Sequence, residues 1–231
     1  MCILCNCINN NINFDIDNYY LKQKENDDNR QVFIRNRFNK YSIKIKCNKL
    51  QELPKFKSNK EIFDITLDGL NMNNIDGSQI LDENNKLLKY NTITICNSFK
   101  LKEIVNFKDL NGIIIEYCNK IELLSNITNI TQLVINETDI LNIVNLSNIE
   151  SIIIENSNIE YFDKIKKIDD LQLKYDMFLL NIEFINRDIA KILNNILTII
   201  NKNDIKNKDK KIYLDGSNLI DNKKSIIELI S

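Results

Sequence analysis

Pairs of aliphatic residues separated by a single residue recur along the chain at nearly constant intervals. The pairs are Ile43/Ile45, Ile65/Leu67, Ile93/Ile95, Ile113/Ile115, Leu133/Ile135, Ile152/Ile154, Leu171/Leu173 and Ile212/Leu214. The steps between their first members are 22, 28, 20, 20, 19, 19 and 41 residues. Aliphatic side chains at positions i and i+2 lie on one face of a short strand. Repeats of this length are typical of a solenoid, in which successive repeats stack and share one interior.

A small polar residue follows most of these pairs by three positions, where the chain has to leave the strand. Such residues include Asn48, Ser98, Cys118, Thr138 and Ser157. Side chains of this kind can bond backbone groups that a turn leaves without partners. An apolar residue then returns to the interior, as Leu50, Met72, Leu101, Ile121 and Ile140. The sequence therefore predicts a repeated unit of strand, polar turn and buried residue.

The segment from Ile43 to Pro54 reads IKIKCNKLQELP and fits the leucine-rich repeat core LxLxxNxLxxLP. Over residues 41–178, and again over 212–230, the chain resembles the leucine-rich repeat superfamily, in the short Ile/Asn-rich form of AT-rich large DNA viruses of insects. The resemblance implies an α/β solenoid whose concave face is a parallel sheet of about eight short strands. A parallel β-helix and an irregular α/β domain are the alternatives that the period leaves open.

The uncovered ends of a solenoid need caps. We predict an N-terminal cap over residues 1–40, with Val32, Phe33, Ile34 and Phe38 as its apolar cluster. The solenoid itself is predicted over 41–178, and 179–231 is predicted to hold a helix, the last repeat and a C-terminal cap. The helix is indicated by apolar residues spaced three or four apart, at Ile182, Ile185, Ile189, Leu193, Ile196 and Ile200.

Composition excludes several classes of function. The chain contains no histidine, which removes Ser-His-Asp catalysis and His-ligated zinc. Lys and Arg number 31 against 32 Asp and Glu, so no net positive charge favours nucleic acid. Neither a dinucleotide-binding nor a P-loop glycine motif occurs, and no apolar stretch is long enough to span a membrane. With no signal peptide recognisable at its start, we expect a non-catalytic, cytoplasmic protein without a cofactor.

Asparagine is so abundant, at 39 residues, that single asparagines carry little weight in this sequence. Glycosylation-type triplets begin at Asn126, Asn129, Asn136 and Asn145. We attribute them to chance, because Ile, Asn and Lys all have AT-rich codons and the bias suggests an AT-rich genome.

The N-terminal cysteines suggest one metal hypothesis. Cys2, Cys5 and Cys7 form a C-x-x-C-x-C motif, and Cys47 is a candidate fourth ligand. Four thiolates can hold a structural zinc ion, which would make the chain a metal-stabilised regulatory or adaptor protein. The simpler interpretation treats these cysteines as small apolar residues of the cap.

The residue between each aliphatic pair should face outward, because side chains alternate along a strand. In the middle repeats these residues are Ile114, Val134 and Ile153, and contiguous exposed aliphatics often mark interaction sites. Carboxylates and tyrosines are expected beside them: Glu116, Tyr117, Glu137, Glu155 and Tyr175. We predict that these eight residues form a protein-binding surface on the concave face, suited to a basic segment of an unidentified partner.

Overall fold

The structure is a computed structural model that describes residues 3–22, 31–119, 121–157, 159–163, 166–174 and 211–215. Strands dominate, and the described helices are two of seven residues and one 3-10 turn. In chain order the elements are α1 (Ile3–Asn9), β1 (Phe14–Asp15), α2 (Ile16–Lys22), β2 (Val32–Arg37), β3 (Lys40–Lys46), β4 (Phe56–Lys57), β5 (Glu61–Asp68), β6 (Asn74–Asp76), the 3-10 turn Gly77–Gln79, β7 (Thr92–Cys96), β8 (Glu103–Val105), β9 (Lys108–Glu116), β10 (Ile121–Asn136), β11 (Ile140–Glu155), β12 (Ile159–Asp163), β13 (Lys166–Lys174) and β14 (Lys211–Asp215).

The chain forms a β-solenoid of about six turns, each of which is called a coil below. The predicted register is confirmed along one face, the first face. Parallel pairing joins Ile43, Ile65, Ile93, Ile113, Leu133, Ile152, Leu171 and Ile212 in that order. Both members of every predicted pair from Ile43 to Ile154 are buried, so each coil contributes two aliphatic side chains here to a shared interior.

Two further faces of parallel strands complete the later coils, the second face from β6 onward and the third from β9 onward. The second face pairs Ile75, Ile104, Leu124, Ile143 and Phe162 in order. The third face pairs Leu110, Ile130, Ile149 and Ile168. Because β10 and β11 stay paired around the corners between faces, each runs for 16 residues and is not the short strand we expected.

Left-handed residues form the corners between the second and third faces. They are Asn106, Asp109, Asn126, Asn129, Asn145 and Asn148, with φ between 54° and 62°. Asparagine and aspartate enter this conformation at lower cost than most residues. Each corner turns the chain so that the next residue, such as Ile127 or Ile130, again points inward and is buried.

The corner side chains also bond one another from coil to coil and form two asparagine ladders. In the first ladder, Asn145 Nδ2 donates to Asn126 Oδ1 at 3.0 Å and Asn126 Nδ2 donates to Asn106 Oδ1 at 3.0 Å. Asn106 then donates to Asp76 Oδ1 at 3.1 Å. The second ladder runs in the same way from Asn148 through Asn129 to Asp109. Each chain of amide donors therefore ends on a carboxylate, the strongest acceptor available.

The predicted polar turn after the first face is confirmed in the middle coils. Ser98, Thr138 and Ser157 are buried, and each hydroxyl donates to the carbonyl oxygen two residues earlier. All three of these hydroxyls also accept from a backbone N–H of the preceding turn of the solenoid, Ser98 Oγ from Leu70 N–H at 3.3 Å. Cys118 N–H donates to Thr138 Oγ1 at 3.1 Å, and Thr138 N–H donates to Ser157 Oγ at 2.9 Å. These bonds satisfy backbone groups that the turns would otherwise bury alone.

Strand β2 pairs antiparallel with β3 and covers the edge of the first face at its N-terminal end. Val32 and Ile34 are buried, as expected for a cap, but Phe38 is 97% exposed. The prediction for Phe38 was wrong because this residue and Asn39 form the two-residue hairpin turn, with φ of 51° and 64°. The boundaries at residues 40 and 178 stay predictions.

Two regions of the sequence remain, the 28-residue step between aliphatic pairs and the C-terminal part of the chain. The 28-residue step holds the 3-10 turn and a loop over residues 81–91. The helix expected over 181–201 and the apolar C-terminal cap lie outside the described residues. No helix in the described part of the chain is both long and apolar enough to cross a membrane.

Candidate interaction surface

The aliphatic stripe consists of Ile114, Val134 and Ile153, which lie at paired positions on β9, β10 and β11. Strand spacing in a sheet places such neighbours about 4.8 Å apart. Each side chain lies between two fully buried residues of its strand and is itself partly exposed. The structure therefore brings these three predicted residues together in one row on the outer side of the first face.

A second row runs beside the stripe and carries acceptor groups. Glu116, Asn136 and Glu155 are paired positions on the same three strands. Glu137 follows Asn136 directly and is exposed. Among the ion pairs of the described residues, none involves these three glutamates. The surface thus has a local negative charge next to the aliphatic stripe, although the whole chain is close to neutral.

Asn136 has an unusual place in this row. Its Oδ1 is buried and has no hydrogen-bond partner, the only such side-chain atom found among the described residues. An acceptor left in this state costs about 1–3 kcal/mol. The backbone of the residue is well satisfied, since Asn136 O accepts from Tyr117 N–H and from Thr138 Oγ1. The unmet acceptor therefore belongs to the side chain alone.

Tyr117 and Glu137 end the strands of the first face in a left-handed conformation, with φ of 52° and 44°. The corresponding residues of the other coils are Gly69, Asn97 and Asn156. Glycine and asparagine tolerate this backbone, whereas tyrosine and glutamate are strained in it. Both strained residues lie beside the aliphatic stripe, and strain of this kind tends to gather at functional sites.

One exposed aromatic residue near this surface was missed by the sequence analysis. Phe99 is 61% exposed and lies in the turn after the first face, one coil before Tyr117, which is 45% exposed. The sequence could have revealed it, because Phe99 comes one residue after the polar turn residue Ser98, at a position where the other coils have the polar residues Asn119 and Asp139. Tyr175, which was predicted to belong to the surface, lies outside the described residues.

The neighbouring coils on the N-terminal side do not continue the negative charge. Lys44 Nζ lies 2.7 Å from Asp68 Oδ2, and Asn97 Nδ2 donates to Asp68 Oδ1 at 2.9 Å. Burial alone would raise the pKa of Asp68, but the hydrogen bonds from Lys44 and Asn97 outweigh it and lower the pKa. Asp68 is therefore already paired within the fold.

Cys96 lies in the acceptor row between Asp68 and Glu116, but only 6% of the residue is exposed. Burial raises the pKa of its thiol to about 11. A thiol with this pKa is almost entirely protonated at neutral pH and is a poor nucleophile. This part of the first face offers no reactive cysteine.

Three cysteines of the metal hypothesis, Cys5, Cys7 and Cys47, belong to the apolar core or pack against it. Cys5 lies in α1 and Cys7 lies two residues, or about half a turn, further along the same helix, and both are partly buried against the core. Cys47 is buried after β3. No cluster of three or more potential ligands was found within the part of the chain that the structure describes, and Cys2 lies outside it.

Comparison of the chain with protein families, curated proteins and solved structures finds no match.

Proposed function

We propose that this chain is a non-catalytic protein-interaction module that binds a basic, partly apolar segment of a partner protein on its first face. The observation that carries the proposal is the aliphatic stripe, a row of three partly exposed aliphatic side chains in register on adjacent strands. Exposed aliphatics gathered in this way are typical of interaction surfaces. The glutamates beside the stripe supply the charge that a basic partner would complement.

Energetics support a specific but modest interaction. Complete burial of a fully exposed aliphatic side chain contributes about 1.5–3 kcal/mol. Each of the three stripe residues is only partly exposed and can therefore gain only a part of that. The cost of association cancels part of this gain, so further contacts are needed for tight binding. Carboxylates at the rim mainly accelerate association and select against acidic partners.

The finer description of the fold belongs to the same proposal. We propose that the coils are leucine-rich repeats with a helix over residues 181–201 and that the protein acts in the cytoplasm. Support comes from the repeat length and from the match of residues 43–54 to the repeat core. By contrast, the β-helix alternative is the one that requires strands on the second and third faces. Backbone chemical shifts for residues 181–201 would test the helix directly.

The test of function combines two substitutions with a defined set of peptides. Ile114→Asp with Ile153→Asp places charge at both ends of the stripe without touching the interior. Fluorescence anisotropy is measured with labelled nonapeptides that alternate Ile with Lys, Ile with Glu, or Ser with Lys. We expect the wild type to bind the Ile/Lys peptide most tightly and the double variant to lose at least about tenfold in affinity, or 1.4 kcal/mol.

Thr66→Asp is the matched control, because Thr66 occupies the same row two strands away from Ile114. It should leave peptide affinity within about twofold of the wild type, which is below 1 kcal/mol. Circular dichroism and thermal unfolding establish that every variant is folded. If the folded double variant binds the Ile/Lys peptide as the wild type does, the first face is not the binding surface.

A further inference from the structure

Strand β6 begins the second face and has a neighbouring strand on one side only. It pairs in parallel with β8 and with no other strand of the described part of the chain. Asn73 O accepts from Glu103 N–H at 3.1 Å, on the side of β8. The backbone groups of successive residues in a strand point to opposite sides, so Ile75 also faces β8 whereas Asn74 and Asp76 face away. Among the described residues, no backbone group bonds Asn74 or Asp76 on that side, so β6 has a free edge.

The free edge of β6 borders a cavity of about 600 Å³. Gln51 and Glu52 of the preceding coil line this cavity together with β6, and the apolar residues Leu53, Met72 and Ile80 line it as well. Cavities in this range of volume enclose ligands about as large as a tripeptide. The cavity is therefore a groove with two walls, one of which is an unpaired strand edge.

The groove exists because the preceding coil has no strand on the second face. Ile43 pairs with Ile65, a step that places residues 52–54 at the position of β6 one coil earlier, but these residues form no strand. Pro54 has no N–H group that could join a ladder. Leu53 is partly exposed, although the residues that continue its row on β6 and β8 are almost completely buried. This coil therefore lacks both the hydrogen bonds and the apolar packing of a complete second face.

We propose that this groove binds an extended segment of a partner protein, which adds to the free edge of β6 as a further strand. Main-chain hydrogen bonds supply the affinity in this mode of recognition, and alternate side chains of the peptide supply the specificity. Leu53 and Met72 select an apolar side chain on the partner residue that faces the interior. The site lies on a different face from the aliphatic stripe and does not depend on the proposed function.

The two walls of the groove favour a single peptide over a second copy of this chain. An edge strand of another solenoid has a further strand behind it, and that strand would meet the wall formed by residues 51–53. A single extended segment has both of its edges free and can enter between the walls.

The probe is a labelled heptapeptide that alternates Val with Thr. One counterpart is N-methylated at every backbone nitrogen, so it keeps the side chains but donates no backbone hydrogen bond. A second counterpart has Ser in place of Val. Anisotropy titrations with the full chain should show binding of the unmodified peptide and at least about tenfold weaker binding of each counterpart.

Asn74→Pro blocks the edge from the side of the protein. Proline is tolerated in an edge strand where its missing N–H points out of the sheet, so the pairing of β6 with β8 is kept. We expect this variant to lose at least about tenfold in affinity for the Val/Thr peptide. Asn74→Ala is the matched control, because it removes the same side chain but keeps the N–H group, and it should bind within about twofold of the wild type. Circular dichroism establishes that both variants are folded.

Amide hydrogen exchange measured by NMR locates the peptide on the wild type without any substitution. Binding of the Val/Thr peptide should slow exchange at the amides of Asn74 and Asp76, which face the groove. The amide of Ile75 faces β8 and should exchange at an unchanged rate. This measurement decides the question even if Asn74→Pro does not fold.

The outcomes separate this site from the proposed function. The variant that carries Ile114→Asp with Ile153→Asp should bind the Val/Thr peptide as the wild type does, because its substitutions lie on the first face. Three results overturn the site and leave the aliphatic stripe untouched: no binding of the Val/Thr peptide, equal affinity for its N-methylated counterpart, or no slower exchange at Asn74. A dimer in which Asn74 is protected without any peptide assigns the edge to a second copy and also overturns the proposal.

Discussion

At the scale of single residues, backbone conformation explains why some positions of a coil tolerate few side chains. The five residues that end the strands of the first face, from Gly69 to Asn156, all have positive φ. In this conformation a side chain with a Cβ crowds the following carbonyl group, and asparagine bears the cost best because its short polar group bonds locally. Tyr117 and Glu137 therefore lower the stability of the coils that carry the aliphatic stripe.

Glu137→Asn should stabilise the protein. The substitution replaces a strained residue with one suited to its left-handed backbone, and we expect the free energy of unfolding to rise by about 1 kcal/mol. Urea unfolding followed by circular dichroism measures the change. Glu150→Asn is the matched control, since Glu150 is an exposed strand residue, and there the same replacement should lower stability slightly.

The same variant links strain to function. If Glu137 is retained for its charge, Glu137→Asn weakens binding of the Ile/Lys peptide while it raises stability. A variant that is less stable than the wild type would show that the backbone at Glu137 is not strained in solution.

At the scale of elements, the asparagine ladders show what the sequence analysis could not recognise. The aliphatic residues Ile121, Leu124, Ile127, Ile130 and Leu133 recur every three positions, which matches neither the period of two of a strand nor the 3.6 of a helix. The period arises because left-handed asparagines at 126 and 129 turn the chain between them. From the sequence alone, therefore, no structural role is assigned to Asn126, Asn129 and Asn145, which form the corners and the ladders.

The ladder can be tested at Asn126, its middle member, with two replacements that differ in backbone cost. Asn126→Gly keeps access to the left-handed conformation but removes two side-chain hydrogen bonds, so we expect a loss of about 1–2 kcal/mol in unfolding free energy. Asn126→Ala loses the same bonds and adds about 1 kcal/mol of backbone strain. Equal stabilities for the two variants would argue against a left-handed corner, and no loss in either would argue against the ladder.

At the scale of the whole molecule, the first face was predictable and the rest of each coil was not. The pairs from Ile43/Ile45 to Ile212/Leu214 follow the period of two of a strand, so their register could be read directly and is confirmed. The direction of Ile114, Val134 and Ile153 followed from that register. The second and third faces depend on corners whose backbone no period reveals, and the unmet oxygen of Asn136 depends on neighbours that only the assembled coils bring together.

The coils should behave as nearly interchangeable units, because each one packs mainly on its two neighbours. Deletion of residues 121–139 removes one complete coil and joins residue 120 to Ile140, which occupies the position of Ile121 in the next coil. The paired aliphatics of β9 and β11 then meet in register, as do Asn106 and Asn145 at the corner. We expect this variant to fold cooperatively, with a urea m-value lower by roughly a tenth because less surface is buried.

An out-of-phase deletion provides the contrast. Removal of residues 121–130 takes out about half a coil, so buried and exposed positions no longer coincide with those of β9, and this chain should fail to unfold cooperatively. The in-phase deletion also removes Val134, Asn136 and Glu137 while it keeps Ile114 and Ile153. It should therefore remain folded and yet bind the Ile/Lys peptide more weakly than the wild type does. If both deletions disrupt the fold to the same extent, the coils are not independent units and the stacking that places the stripe and the acceptor row side by side is wrong.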